Sequence, residues 1–212
     1  MRRARPTLQL LAFTCVLWAS SALAQTQVRA PMDCSRGDAD QAFKAFVTLT
    51  VNMAKEPLVR VRIDGLSSGA IRHFGLNYLH DMITDYAISA GAEPIKGSAR
   101  LVPGTGTANI LEGATVEWVG RTLRLSLPAH VDSGRTYTPP SIEFSVRNRG
   151  APGGRITILF SGFRVAANAV LVGDVSTVCK PVPQPFAMAT ILATSGADSK
   201  RADNTPARAP PP

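Results

Sequence analysis

Apolar and polar residues alternate with a period of two along much of the chain. Val47, Leu49, Val51 and Met53 are separated by Thr48, Thr50 and Asn52, and Val59, Val61 and Ile63 by Arg60 and Arg62. Successive side chains of a strand point to opposite faces, so these segments predict strands with one face buried and one in water. The same reading predicts strands over Ile95–Val102, Ala114–Val119, Thr122–Leu127, Ser141–Val146, Arg155–Val165, Ala169–Val178 and Phe186–Ala193. Turn-forming clusters lie between them at Pro103-Gly104, Pro139-Pro140, residues 148–154 and Gly173-Asp174. The expected fold is mainly β, an antiparallel β-sandwich or barrel-like domain.

One segment departs from this period. Ile71, Phe74, Tyr78, Leu79, Met82, Ile83, Tyr86, Ala87 and Ala90 recur at spacings of three and four. That spacing predicts an amphipathic helix over 70–90, capped by Ser67 or Ser68, ended by Gly91 and packed across a sheet. Its apolar stripe either fills the core or lines a cavity for an apolar ligand, as in a lipid carrier.

The first residues carry a different signal. Arg2, Arg3 and Arg5 precede an apolar run from Leu8 to Trp18, followed by Ala22-Leu23-Ala24. This is the order of a secretory signal peptide cut near Ala24. Cys15 is preceded by Phe13-Thr14, a poor lipoprotein recognition site, and reads as an apolar residue of the signal. No segment reaches the roughly 20 apolar residues of a membrane-spanning helix, so the protein is not expected to be an integral membrane protein. The expected organisation is a signal peptide at 1–24, one β-rich domain at 25–194, and a disordered Pro/Ala-rich tail at 195–212, with a secreted or periplasmic location.

Cleavage changes the charge. The signal holds three of the 23 basic residues and none of the 15 acidic ones, leaving 20 against 15, a net +5 in place of +8. The remaining arginines are spread over many segments, mixed with acids and not interleaved with aromatics, so no nucleic-acid partner is expected. A solvated surface is the default, with weak attraction to anionic lipid or envelope polymer beside it. Two cysteines outlast cleavage, Cys34 and Cys179, in a compartment where thiols oxidise, and a structural disulfide between them is expected.

The sharpest chemical lead is Gly65-Leu66-Ser67-Ser68-Gly69, a G-x-S-x-G between a predicted strand and a predicted helix, as in a nucleophile elbow. Ser67 would be the nucleophile, His130 its base, and Asp81, Asp85 or Asp132 the orienting acid, with Asp85 satisfying the order Ser, Asp, His. Gly and Ser are equally the residues of any strand-to-helix turn, and a mainly antiparallel fold is not the frame that elbow uses. A small secreted serine hydrolase is therefore the second reading. Metal and cofactor sites are not expected. His73 and His80 would stand two helical turns apart, about 10 Å, too far to share one zinc ion, and His130 and Asp132 have no third ligand nearby. Pro103-Gly104-Thr105-Gly106-Thr107 lacks the lysine of a phosphate loop and reads as a turn. Glu93, Glu112, Glu117 and Glu143 fall on separate segments and define no acid pair.

Two stretches carry a family resemblance. Ile83–Arg100, with Ala90-Gly91-Ala92 running into Ile95-Lys96-Gly97-Ser98-Ala99, and the late Val178-Cys179 followed by Pro183 and an apolar final strand, resemble secreted β-sandwich domains of unknown function common in actinobacteria. The resemblance implies an envelope or extracellular location and no catalytic residues. The Asp38-Ala39-Asp40 opening departs from the Cys-Pro region usual in those domains. The leading expectation is a non-enzymatic envelope protein that binds a surface partner or an apolar ligand. Mass spectrometry of the exported protein is expected to give a chain that starts at Gln25 and is two hydrogens lighter than the dithiol; a chain retaining Met1 would contradict it.

Overall fold

The alternating segments form strands in the computed structural model, which describes residues 23–35, 43–52, 58–67, 75–149 and 154–192. The described strands are β1 (Leu23–Ala30), β2 (Met32–Cys34), β3 (Phe43–Asn52), β4 (Leu58–Gly65), β5 (Leu76–Ile88), β6 (Ala92–Pro94), β7 (Arg100–Leu101), β8 (Thr115–Val119), β9 (Thr122–Leu127), β10 (Val131–Asp132), β11 (Ile142–Asn148), β12 (Arg155–Ala169), β13 (Gly173–Pro181) and β14 (Phe186–Leu192). A single 3-10 turn covers Ala108–Ile110 among the described residues. The strands form two antiparallel sheets. The first runs β1-β3-β4-β11-β6, with β7 also on β11; the second runs β2-β13-β12-β5-β9-β8, with β10 on β5 and β14 on β12. This is a β-sandwich, the first of the two expected architectures.

The inward positions build one core between the sheets. Val59, Val61 and Ile63 of β4 and Ile142, Phe144 and Val146 of β11 face Leu123, Leu125 and Leu127 of β9 and Ile156, Ile158 and Phe160 of β12. Phe144 meets the Trp118 ring edge-on at 5.4 Å between centroids, and Phe160 lies 6.1 Å from Tyr86. Apolar area removed from water contributes about 25 cal/mol per Å², so these large side chains dominate the stability of the fold. Burial also raises the pKa of the Tyr86 and Tyr137 hydroxyls, since the phenolate would lose its hydration.

The predicted helix over 70–90 is a strand. Its last part, Leu76–Ile88, is β5, at the centre of the second sheet between β12 and β9, while Ile71, His73 and Phe74 lie outside the described residues. The spacing has a local cause. Asp81 has φ of 47° and is an extra residue in the pairing with β12, where Arg164 faces Ile83 but Ala166 faces His80. Such a bulge reverses which parity of residue faces the core. Leu79 packs on the core before the bulge and Met82 and Tyr86 after it, giving helix-like intervals of three and four. Ile83 and Ala87, on the outer face and half-buried, complete the imitation. Because Met82, Tyr86 and Ile88 are packed into the core, β5 covers side chains where the helix would have covered a cavity.

Two other strand predictions are trimmed. Within Ile95–Val102 only Arg100–Leu101 is strand, because Lys96-Gly97 turns with Gly97 at φ 76°. In Ala169–Val178, Val170, Leu171 and Val172 form the exposed β12–β13 turn despite their apolar character, and β13 starts at Gly173. The predicted signal segment before Leu23 and the whole predicted tail from 195 lie outside the described residues. Leu23 and Ala24 themselves pair with Thr50 and Leu49.

β12 is flanked by β5 on one side and, on the other, by β14 along its first half and β13 along its second. The change of partner falls at Gly162, whose φ is 133° and where a Cβ would sit 2.5 Å from the Cys179 carbonyl oxygen. Gly162→Ala is expected to cost about 2 kcal/mol or more, from backbone strain and this clash, and Phe144→Ala about 3–5 kcal/mol from the cavity it leaves. Urea unfolding followed by tryptophan fluorescence measures both.

Candidate functional site

The expected disulfide is present. Cys34 of β2 and Cys179 of β13 are register partners on adjacent antiparallel strands, 145 residues apart in sequence, with Cα atoms 4.0 Å apart. The next pair outward, Ser35 and Val178, is joined by Ser35 N–H to Val178 O, which makes the cysteines a non-hydrogen-bonded pair with side chains close together. Cys179 is buried in the core. The bridge fastens the short edge strand β2 to the sheet.

The three candidates of the hydrolase reading are placed separately. Ser67 follows β4 at the end of the first sheet and is exposed. Asp85 lies on β5 of the second sheet, where Oδ1 accepts from Arg124 Nε at 2.9 Å and Oδ2 from Arg124 Nη2 at 3.0 Å. This two-point pairing raises the Arg124 pKa. His130 stands in the loop before β10, its ring 5.2 Å from that of Tyr78 and its Nε2 3.7 Å from Asp132. Tyr78 and Asp85 are seven residues apart on β5, about 23 Å of strand at about 3.3 Å per residue, and His130 sits at the Tyr78 end. Gly65, the first glycine of the motif, has a packing reason, since a Cβ there would approach Pro139 Cβ to 2.9 Å. Ser68 and Gly69 lie outside the described residues.

At the β12–β13 end of the second sheet, His80 donates to or accepts from Asp81 through Nδ1 at 2.9 Å, and its Nε2 lies 3.5 Å from Asp174. Asp174 in turn accepts from the Asn168 amide, whose oxygen accepts from Asn77. Among the described residues, no three His, Cys, Asp or Glu side chains gather as a metal site. The segment 103–107 is a turn stitched to the neighbouring strand: Thr105 Oγ1 accepts from Ser141 N–H and Thr107 Oγ1 from Thr138 N–H. A groove of about 400 Å³ opens between the Lys96-Gly97 turn and the edge strand β8, lined by Ala99, Val116, Glu117 and Trp118.

A row of charges on the outer face of the first sheet escaped the linear reading. Register sets Glu143 of β11 between Arg62 of β4 and Arg100 of β7. Glu143 accepts from Arg100 Nη2 at 2.6 Å and from Arg62 Nη1 at 3.2 Å, while Arg62 Nε reaches Asp64 at 2.8 Å. Beside them Arg149 pairs with Glu93 at 2.6 Å. The Arg100 bond, with Arg62 adding to it, holds the Glu143 carboxyl below its ordinary pKa. Alternation along β4 and β11 marks these residues as outward, but the partners are 81 and 43 positions apart and only sheet order joins them.

No protein-family model matches the chain, and no curated protein sequence matches it. Among solved structures, it is similar to domains D2 and D3 of the major pilin SpaD from Corynebacterium diphtheriae, at 13% identity over 68% of this chain and 50% of that one, TM-score 0.34. It is also similar to the pilus backbone protein RrgB from Streptococcus pneumoniae, at 12% identity over 66% and 42%, TM-score 0.36. The collagen-binding domain of a Staphylococcus aureus adhesin matches at 10% identity over 64% and 87%, TM-score 0.30. The chain spans about half the length of the two pilin structures it matches. The resemblance to actinobacterial secreted domains is shared at the level of a β-sandwich, with no family model that singles out that group.

Because the folded pKa of Glu143 lies below its unfolded value, its contribution to stability is complete above the ordinary range near about 4.3 and is lost as pH falls through the folded pKa. Glu143→Gln is expected to cost about 1 kcal/mol at neutral pH, as part of a charge network, and to cost progressively less as the solution is acidified. Urea titrations of both proteins across that range measure the difference.

Proposed function

We propose that the mature chain works outside the cytoplasm, secreted or periplasmic, as a non-enzymatic β-sandwich that binds an envelope or extracellular partner. The observation that carries this reading is the Cys34–Cys179 bridge, a structural cross-link of a kind maintained in oxidising compartments, on a chain whose first 24 residues have the order of an export signal. No described helix is long and apolar enough to cross a membrane. An apolar ligand has a candidate place in the groove beside Trp118. The lipid-carrier variant has less support, because the inward side chains of β5 already fill the space assigned to its cavity.

The alternative, a hydrolase using Ser67, has to find its acid elsewhere than Asp85, whose oxygens are both engaged by Arg124. A fluorophosphonate probe that reacts with activated serines decides between the two. The expected result is no labelling of the oxidised mature protein; labelling abolished by Ser67→Ala would overturn the binding-domain reading. Replacing both Cys34 and Cys179 by Ser is expected to lower stability by about 2–5 kcal/mol, measured by denaturant unfolding of the oxidised parent beside the variant.

A further inference from the structure

The fold sorts charge between the two faces of the sandwich. On the first sheet, β1 and β4 turn Arg29, Arg60 and Arg62 outward, since their neighbours Val28, Ala30, Val59, Val61 and Ile63 are buried. Arg100, Arg147 and Arg149 join them from β7 and the end of β11, making six arginines against the three carboxylates of Asp64, Glu93 and Glu143. The strands of the second sheet have no such excess: Arg124, Arg155, Arg164 and Lys180 stand against Asp33, Asp81, Asp85, Glu117, Asp132 and Asp174. Six arginines less three carboxylates leave the described part of this face with a net +3, over a span of about 19 Å from β1 to β7 at about 4.8 Å per strand.

All three carboxylates on that face are already paired with arginines. Arg60 has no ion pair among the described residues; its register partners are Thr50 and Ser145, and Arg62 follows it two residues along the same side of β4, about 7 Å away. Arg29 likewise has no ion pair among the described residues and stands in register with Lys44. Hydroxyl and amide residues occupy positions between the charges, namely Ser145 on β11 and Gln25 and Gln27 on β1. Among the described residues, the exposed large apolar side chains, Leu171 foremost, are on the second sheet and its turns, and the outward positions of β4 carry only the half-buried Leu58 beside their charges. Its exposed cations are not interleaved with described exposed aromatics of the kind that stack nucleobases.

We propose that the outer face of the first sheet binds an anionic polysaccharide, with Arg29 and Arg60 supplying charge to its sulfate or carboxylate groups and Ser145, Gln25 and Gln27 meeting sugar hydroxyls. This gives a site and a partner class to the binding-domain reading and rests on it, while the fluorophosphonate experiment tests that reading on its own. The test uses the oxidised mature chain with two immobilised probes, heparin for sulfate and polygalacturonate for carboxylate, at low salt of roughly 50 mM, where screening is weak. Binding to at least one of them is expected, falling steeply as salt is raised. The double variant Arg29→Glu and Arg60→Glu is expected to weaken it about tenfold or more. The double variant Arg155→Glu and Arg164→Glu changes net charge equally on the other sheet, and should stay within about twofold of the parent. Circular dichroism checks that both variants are folded. Failure to bind either polysaccharide, or equal losses from the two double variants, overturns the site. Equal or tighter binding to anionic phospholipid vesicles or single-stranded DNA overturns the partner class.

Discussion

β12 has to satisfy three neighbours at once, and the close approach at Gly162 is what allows it. One side of this strand pairs with β5 through most of its length, and the other passes from β14 to β13 within two residues. A side chain at 162 would drive into the Cys179 carbonyl, so the crossing point requires glycine and a positive φ. Cys179 pairs with Phe163 of β12 on one side and with Cys34 of β2 on the other. The backbone that crowds Gly162 is therefore the backbone the disulfide anchors, and the bridge extends to β2 the order that β12 imposes on β13.

From that spine the sheet continues through β5 and β9 to β8, and the core closes against β4 and β11. Closure leaves the first sheet with an outer face that is mostly polar at its described positions, with half-buried Leu58 among them. Its arginines are partly neutralised by Glu143, Asp64 and Glu93, and this pairing tolerates the crowding of like charge that an alternating Arg-x-Arg strand would otherwise create. The same arrangement leaves Arg29 and Arg60 without an ion pair among the described residues, and these are the cations assigned to the proposed anionic partner. Under the proposed reading, stability and recognition draw on one set of side chains: the paired arginines hold the face together, and Arg29 and Arg60 are left for the proposed partner.

Three of the candidate hydrolase residues have packing or pairing roles in the fold. Gly65 is glycine because Pro139 lies against it, Asp85 holds Arg124 across β5 and β9, and His130 rests on Tyr78 at the far end of the same strand. Each has a local structural role, and the three lie on different sheets or at opposite ends of one strand.

Strand identity was readable wherever alternation was regular, as in Val59-Arg60-Val61-Arg62-Ile63 and Thr122–Leu127, because a strand with one wet face needs that pattern in any fold. The cysteine pairing was readable because only two cysteines follow the signal segment. β5 was not, because the bulge at Asp81 shifts its inward positions by one and half-buried Ile83 and Ala87 occupy its outer face; periodicity cannot distinguish that from a helix. The apolar turn at Val170–Val172 misled for a related reason: composition reports hydrophobicity, and only the register of β12 with β13 decides where the chain reverses. The sequence by itself determined the period, the cross-link and the net charge, all properties of residues and their near neighbours. Sheet order alone decided that Arg62, Glu143 and Arg100 share a row and that the positive excess collects on one face, because those contacts join segments far apart in the chain.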